Sequence, residues 1–435
     1  MRRSALVLCT LGSAALALDA LAADTVLKNA RIVTVSGSVI ERGSVVISGN
    51  KIAAVGADVA TPAGASVIDA TGKTVYPGLI DGLTTIGLVE IGQGAAGTVD
   101  TTETGDVNPH AKAWVALQPH SELIPVARAN GLTAVLSAPA GGLISGQSAL
   151  IRLAGTTPDA LVVKTPIAMH MVFPTGRPVV DFATAFSQEP DLKTLEERIR
   201  ERKRNQEKEL VRLKNLLEEA KAYGAALDAA KAGKAAAPKP DLPMEALSPA
   251  ARGELPVILR ADAEDDIKAA VKFADERGLK LVIAGGLEAW RCADLLKQRN
   301  VAVLVNVERL PRRESDAYDA AYTNPAALYK AGVRFAIVSD DASQARNLPY
   351  EAAMARAFGL PADAAIRAIT LSPAEIFGVA ERMGSLEAGK DANLFVATGD
   401  IMDHRSQVTH VFIDGVPQSL ETRHTRLYQE FKGRP

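Results

Sequence analysis

The sequence predicts an α/β protein whose main domain is a (β/α)8 TIM-like barrel. Two observations lead to this prediction. Short apolar strands alternate with amphipathic helices through residues 76–380, a pattern that is typical of a parallel sheet buried on both faces. Short strand patterns also precede and follow this region, at residues 24–75 and 381–435, so a smaller β region accompanies the barrel.

Length and composition suit a globular protein with one large domain and a smaller one. The chain has 435 residues, of which 47% are hydrophobic and 23% are charged. Its net charge is −2 and its pI is about 6.4. Because there is no surplus of basic residues, neither nucleic acid nor an anionic membrane surface is expected as a partner.

Residues 1–23 have the pattern of a secretory signal peptide. Arg2 and Arg3 provide the positive start, an apolar run follows from Ser4 to Leu18, and small residues for cleavage lie near Ala22. We therefore expect a periplasmic protein. A buried N-terminal helix is the alternative, but the strand pattern begins immediately after this segment. Removal of the segment leaves Cys292 as the one cysteine, so an internal disulfide is excluded.

The first strands, from Thr25 to Val67, form a small β domain that does not close on itself. Ser48-Gly49-Asn50 predicts a turn between two of them. The later strands alternate with helical patterns such as Asp265 to Arg277 and Glu288 to Gln298. The strands expected in the barrel are Gly131–Leu136, Leu161–Val163, Pro256–Leu259, Leu281–Ile283, Val301–Val305 and Val333–Val338.

A charged helical insertion is expected within the barrel at residues 190–235. Its helix runs from Leu192 to Tyr223, with two short apolar faces separated by Arg200 to Glu209, which contains no apolar residue. A solvated helix on the barrel rim is the favoured interpretation. The alternative is an arm through which the protein docks to a partner.

Several segments together resemble the amidohydrolase superfamily, in particular its secreted imidazolonepropionase-like branch. The stretch Pro77-Gly78-Leu79-Ile80-Asp81 resembles the first barrel strand of that superfamily. Residues 384–394 resemble the segment that returns to its small β domain. The other segments that carry the resemblance are Asn108-Pro109, Ser121 to Arg128, Gly141 to Gln147, Asn347 to Ala352 and Val411 to Gly415. The resemblance implies that residues 24–75 and 381–435 form one composite β domain.

The resemblance also implies a metal-dependent hydrolase of carbon–nitrogen bonds, but the positions of its metal ligands hold other residues. The His-x-His pair of the first strand is replaced by Leu83 and Thr85, and the histidine of the fifth strand is replaced by Arg260. The sixth strand also lacks histidine. Asp340 matches the eighth-strand Asp that handles the proton of the attacking water. We therefore expect no metal cofactor, and Asp340 would be a vestigial acid or base.

Other residues offer alternative ligands. His170 lies in a stretch that can face the barrel mouth, although a lone histidine there is more often a hydrogen-bonded core residue. A divalent ion such as Zn²⁺ is the alternative to no metal. Mg²⁺ or Ca²⁺ held by oxygen ligands is a further one, and its candidate ligands are Asp81, Glu90, Asp262 and Asp340.

Arg260 is the substitution with the clearest electrostatic consequence. A guanidinium beside Asp340 would compensate a buried carboxylate and repel a metal ion. The alternative is that Arg260 points to solvent past Asp262. The pocket expected from the sequence therefore comprises Arg260, Asp262, Leu83, Thr85 and His170 around Asp340.

Three functions remain open. The first is a non-catalytic protein that binds a small molecule, or that assembles as a homo-oligomer or with an intact amidohydrolase. The second is an active hydrolase of amides or cyclic amides with an atypical centre around Asp340. The third is a docking protein that uses its helical insertion.

Overall fold

The computed structural model describes residues 24–92, 95–175, 195–310, 313 and 315–434. The predicted signal peptide at residues 1–23 and the first residues of the insertion, 190–194, lie outside the described residues. The strands are β1 Thr25–Ile32, β2 Ile40–Ser48, β3 Lys51–Gly56, β4 Ser66–Asp69, β5 Thr74–Pro77, β6 Leu79–Thr84, β7 Leu132–Ser137, β8 Ile144–Gln147, β9 Ala149–Arg152, β10 Val162–Lys164, β11 Met169–Val172, β12 Val257–Ala261, β13 Leu281–Gly285, β14 Ala302–Val305, β15 Phe335–Ile337, β16 Leu394–Ala397, β17 Val408–Ile413 and β18 Val416–Gln418.

Helices accompany the strands of the middle region. They are α1 Leu123–Arg128, α2 Pro158–Leu161, α3 Leu195–Lys231, α4 Leu242–Ala251, α5 Glu264–Asp275, α6 Ala293–Gln298, α7 Ala320–Ala331, α8 Leu348–Ala357, α9 Ala362–Ala368, α10 Leu371–Ile376 and α11 Arg423–Phe431. In α5, acidic residues at Glu264–Asp266 complement the helix dipole, and Ile267, Ala270, Val271 and Ala274 form its buried face. None of the helices in the described part of the chain combines the length and the apolar composition needed to span a bilayer.

Strands from the two ends of the chain share one eight-stranded sheet. Its order is β18-β17-β16-β5-β1-β2-β3, and β4 pairs with β1. The N- and C-terminal segments meet where β5 pairs antiparallel with β16. There Tyr76 lies opposite Phe395, and their rings stack at 5.2 Å between centroids. These buried aromatic rings anchor the C-terminal strands to the N-terminal ones.

The strands of the middle region form two sheets rather than the closed ring of eight strands expected from the sequence. One contains β10-β9-β7-β6 and the other β15-β14-β13-β12-β11-β8. Ser148 separates β8 from β9, and these consecutive strands belong to different sheets. At the opposite side, the Asp340 N–H donates to Leu83 O at 2.9 Å, just beyond the end of the three-residue strand β15. The prediction of a closed barrel ladder therefore does not hold for the described strands.

The insertion is a 37-residue helix, α3, that packs with its C-terminal half and is exposed at its N-terminal half. Leu213 and Leu217 are buried in the same core cluster as Leu247 of α4. Gly224 lies so close to Ser248 that a Cβ there would clash with the serine side chain. Ile199, in contrast, is 47% exposed. The apolar packing of the helix therefore comes from residues after Glu209, and most charged side chains before it are exposed.

Candidate functional site

A cavity of about 210 Å³ opens where the strands of the two middle sheets end. We call it the mouth cavity. Its charged lining residues are Arg260, at the end of β12, and Asp340, after β15. The other residues that line it are Leu83, Thr84, Thr85, Ala138, Pro139, Ala140, Gly141, Ser145, His170, Met171, Val172, Ile258 and Ala284. The carboxyl ends of parallel strands are where α/β proteins place their binding sites.

Asp340 is bound by two guanidinium groups. Arg260 donates from Nη1 to Oδ2 at 2.8 Å and from Nη2 to Oδ1 at 2.5 Å. Arg309 donates from Nη2 to Oδ2 at 2.9 Å. The backbone of Asp340 is left-handed, with φ at +57°, a conformation that aspartate tolerates better than most residues. The carboxylate is therefore fixed both by its main chain and by its partners.

The predicted contact between Arg260 and Asp340 is confirmed, and the alternative in which Arg260 points away past Asp262 is wrong. The contact is bidentate, the geometry in which arginine binds carboxylates most specifically. Burial opposes the charge on Arg260, but the hydrogen bonds and the charge of Asp340 outweigh it and raise the pKa of the guanidinium. Arg260 is therefore a cation at any physiological pH.

Asp262 does not line the mouth cavity, contrary to the sequence-based expectation. Side chains two residues apart share a face only while the strand continues, and β12 ends at Ala261. The chain then turns towards α5, and the Asp262 carboxylate lies against the backbone of Gly285. A Cβ at Gly285 would collide with that carboxylate, so this close approach requires glycine. The negative charge of Asp262 still acts on Arg260 from this side position.

His170, on β11, lines the mouth cavity as expected and is only 6% exposed. Its Nε2 atom is buried and has no hydrogen-bond partner among the described residues. Burial, and after it the positive charge of Arg260, lowers the pKa of His170 to about 3. The ring is therefore neutral at physiological pH and can still donate or accept one hydrogen bond.

Leu83 and Thr85 line the cavity next to Asp340, but the side chains there do not fit a Zn²⁺ ion. A catalytic zinc site needs three protein ligands with lone pairs. The cavity offers the neutral His170, while both oxygens of Asp340 are bound to arginines and Arg260 would repel a cation. Across the described ranges, no three His, Cys, Asp or Glu side chains are grouped so that they could hold a metal ion.

The structure also separates the oxygen ligands proposed from the sequence. Glu90 accepts hydrogen bonds from Ser121 Oγ at 2.5 Å and from the Glu122 N–H at 3.1 Å, and it lines a different cavity. Asp81 is fully buried beneath the mouth and accepts hydrogen bonds from Ser339. With Asp262 also turned aside, these carboxylates do not converge on one ion.

Two functional candidates were not predicted from the sequence. Arg309 lies in the loop after β14, and Asp340 lies in the loop after the neighbouring strand β15. This position after a strand is the one signal from which the sequence could have predicted Arg309. Glu351 lies on α8, is 1% exposed, and neither of its side-chain oxygens meets a donor at hydrogen-bond geometry in the described part of the chain. Burial, and after it the charge of Asp81, raises the pKa of Glu351 to about 9.

One wall of the mouth cavity is a glycine-rich turn. Gly141 and Gly142 both have positive φ, and a Cβ at Gly142 would clash with Asp106 O. Ser145 Oγ donates to Gly141 O at 2.7 Å, which closes the turn. These internal contacts are those of a structural turn.

Two proteins that are similar to this chain, one by sequence and one by structure, are described as amidohydrolases. The chain is 24% identical over 407 residues to the amidohydrolase tasK of Hapsidospora irregularis, which covers 87% of this chain and 39% of that protein. The chain thus spans about two fifths of the length of this relative. A solved amidohydrolase of Thermotoga maritima MSB8 superposes with a TM-score of 0.78 at 28% identity, over 91% of this chain and 99% of that one.

A more distant structure supports the fold alone. Molinate hydrolase gives a TM-score of 0.57 at 14% identity, over 92% of this chain and 95% of that one. The sequence profile described as the amidohydrolase family matches residues 163–417, which is more than half of the 435 residues. The chain therefore belongs to the amidohydrolase family.

Proposed function

We propose that this amidohydrolase-family protein binds a small molecule in its mouth cavity and does not carry out metal-assisted hydrolysis. The observation that carries the proposal is the double arginine contact of Asp340. To act on an attacking water, this carboxylate would need a free oxygen directed at the water. Here three N–H groups from Arg260 and Arg309 bind its two oxygens.

Charge supports the same proposal. A divalent ion in the mouth cavity would lie beside the guanidinium of Arg260, at the position where the family pattern has a neutral imidazole. Like charges at such short range are strongly unfavourable in a partly buried site. The cavity itself remains open, with a volume of about 210 Å³ and a mixed polar and apolar wall, which suits ligand binding.

The experiment measures metal content and hydrolysis together. Protein purified without chelators should contain far less than about one Zn²⁺ per chain, since one bound ion would require three ligands. It should also fail to release amine from N-acyl amino acids or cyclic amides. Stoichiometric Zn²⁺ with activity that Asp340→Asn abolishes would instead establish the atypical hydrolase and overturn the proposal.

Three further features belong to the proposal. The alternation of strands and helices supports a (β/α)8 arrangement in which the ring of strand pairing is interrupted, and the shared eight-stranded sheet supports a composite β domain beside it. The pattern of residues 1–23 supports export to the periplasm, which the mass of the exported chain would test.

A binding role is also compatible with assembly, either with a second copy of this chain or with an intact amidohydrolase. Size measurements on the protein alone and on the two proteins mixed would test this.

A further inference from the structure

The mouth cavity presents a cation to an incoming ligand. The side chain of Arg260 is 39% exposed, whereas that of Asp340 is 10% exposed and has both oxygens engaged. Each terminal nitrogen of Arg260 uses one N–H for Asp340, and a guanidinium has five N–H donors. Asp262 lies off the cavity wall against Gly285. A ligand at this end of the cavity therefore meets the remaining N–H donors of Arg260 rather than an unengaged carboxylate oxygen of Asp340.

A second recognition point lies close to the first. Arg260 pairs with Val172 in the β11–β12 register, and His170 is two residues before Val172 on the same face. The two side chains therefore lie on the same face of the sheet, on adjacent strands and two residues apart in register. His170 lines the cavity, and its buried Nε2 has no partner among the described residues, so a ligand group beside the ring can supply the missing hydrogen bond. One small molecule can span both points.

Size and polarity limit the molecule further. The cavity volume of about 210 Å³ is below the usual range for pockets that hold drug-sized ligands, so the molecule must be small. Leu83, Met171 and Ile258 provide an apolar wall between the polar points. The ligand should therefore be a small molecule with a short apolar part.

We infer that the mouth cavity takes a small carboxylic acid that also carries a neutral hydrogen-bonding group, with the carboxylate at Arg260 and the neutral group at His170. This inference rests on the proposed function. The ligand carboxylate shares the Arg260 guanidinium with Asp340, which keeps its contact with Arg309. Charge-assisted pairing with arginine makes the acid a better ligand than its uncharged amide.

Calorimetric titration with N-acetylglycine and N-acetylglycinamide tests the inference on the unmodified protein. The two probes have the same size and differ by one charge. The acid should bind at least about tenfold more tightly than the amide, since a charge-assisted hydrogen bond is lost in the amide. Equal binding of the two probes, or no binding of the acid at millimolar concentration, overturns the inference.

Three variants assign the contacts. Arg260→Gln should weaken binding of the acid by about tenfold or more, while Arg309 still holds Asp340. His170→Phe should weaken the acid and the amide by similar factors, because the imidazole binds their shared acetamido group. Arg356→Gln removes the same charge at the distant pair with Asp400 and should leave binding unchanged. A melting curve for each variant confirms that it is folded, and acid binding that is unaffected by Arg260→Gln overturns the inference.

The same probe separates this inference from the proposed function. Proton NMR of the titrated mixture would show acetate and glycine if the amide bond of N-acetylglycine were hydrolysed. In that case the non-catalytic proposal fails, while selective binding of the acid still stands. If the amide binds as well as the acid and neither is cleaved, the ligand class is wrong and the binding function stands.

Discussion

Asp340 links three segments that are far apart in the sequence. Its N–H donates to Leu83 O in β6, and its carboxylate binds Arg260 from β12 and Arg309 after β14. The two guanidiniums share one carboxylate, so loss of either leaves the other as a partner. The free energy of each contact is also reduced by solvent, since the two arginine side chains are 39% and 46% exposed.

We expect the two arginines to be strongly coupled in stability. Arg260→Gln and Arg309→Gln should each lower the free energy of unfolding by about 1 kcal/mol, because Asp340 keeps one partner. The double variant should lose about 3 kcal/mol, more than the sum, because the mostly buried carboxylate is then unpaired. Urea unfolding measures all three values, with Arg356→Gln as the control for loss of a surface arginine.

Asp340→Asn tests whether the loss of stability in the double arginine variant comes from the unpaired charge of Asp340 or from the arginine substitutions themselves. Added to the double variant, it should restore most of the lost free energy of unfolding, because the charge that needed a partner is gone. Strictly additive losses without recovery would mean that Asp340 is solvated when the arginines are absent.

Two buried acids, Asp81 and Glu351, should make stability fall as pH rises. Burial raises the pKa of Asp81 to about 7 and that of Glu351 to about 9, whereas the unfolded chain loses these protons near pH 4. Between these values the folded state binds more protons than the unfolded state. Linkage then requires the free energy of unfolding to decrease with pH, by up to about 1.4 kcal/mol per pH unit for each group.

Glu351→Gln should remove one of these two contributions. Urea unfolding between pH 7 and pH 9 should show a shallower decrease for this variant than for the unmodified protein, since glutamine has no proton to lose in this range. Glu276→Gln, at an exposed side chain, is the control and should keep the original slope. An unchanged slope in Glu351→Gln would show that this carboxyl ionises without cost.

Residues near the mouth differ in how far the sequence could predict them. Arg260 and Asp340 could be paired because both lie at the ends of strands that point into one cavity. Arg309 lies in the loop after β14, where sequence periodicity does not determine side-chain direction. Glu351 lies in a helix whose other residues are mostly apolar or small, and its contact with the charge of Asp81 depends on tertiary packing.

At the scale of elements, α3 shows how a charged helix is attached to the rest of the protein. Arg212 binds Asp106 through two hydrogen bonds of 2.5 and 2.8 Å, and Gln206 Nε2 donates to Pro174 O at 3.1 Å. Leu210, Leu213 and Leu217 provide the apolar packing of the helix, as the spacing of its leucines predicted. The polar contacts join the middle of the helix to loops beside the mouth, which the helical periodicity alone could not predict.

The stability of α3 should depend on its buried leucines. Leu217→Ala should lower the free energy of unfolding by about 3 kcal/mol, because it leaves a cavity against the core. Val211→Ala, at a side chain that is 57% exposed, is the matched control and should change it by less than about 0.5 kcal/mol. Urea unfolding measures both values. If α3 were attached only through its ion pairs, the two variants would lower the free energy of unfolding by equal amounts.

At the scale of the whole molecule, the alternation of strands and helices predicted the α/β class. The expected closed ring of hydrogen-bonded strands is not formed by the described strands. The sequence predicts where strands begin and end but not whether each edge is hydrogen-bonded along its length. β15 has three residues, so it offers few groups to pair with β6, and Ser148 interrupts the passage from β8 to β9. The mouth cavity nevertheless forms, because β6, β11, β12 and Asp340 in the loop after β15 still converge there.

That convergence allows the geometry of the mouth to be tested by restoring ligands. Leu83→His, Thr85→His and Arg260→His place three imidazoles around Asp340, the number of protein ligands that a catalytic zinc site requires. Arg309 would still bind Asp340 and repel a cation, so the triple variant should bind Zn²⁺ weakly. Adding Arg309→Gln frees the carboxylate, and this quadruple variant should retain about one Zn²⁺ per chain after dialysis, as measured by elemental analysis. The unmodified protein is the control. If the quadruple variant retains no Zn²⁺, the strand ends no longer hold the spacing that a metal centre needs, and the loss extends beyond the side chains.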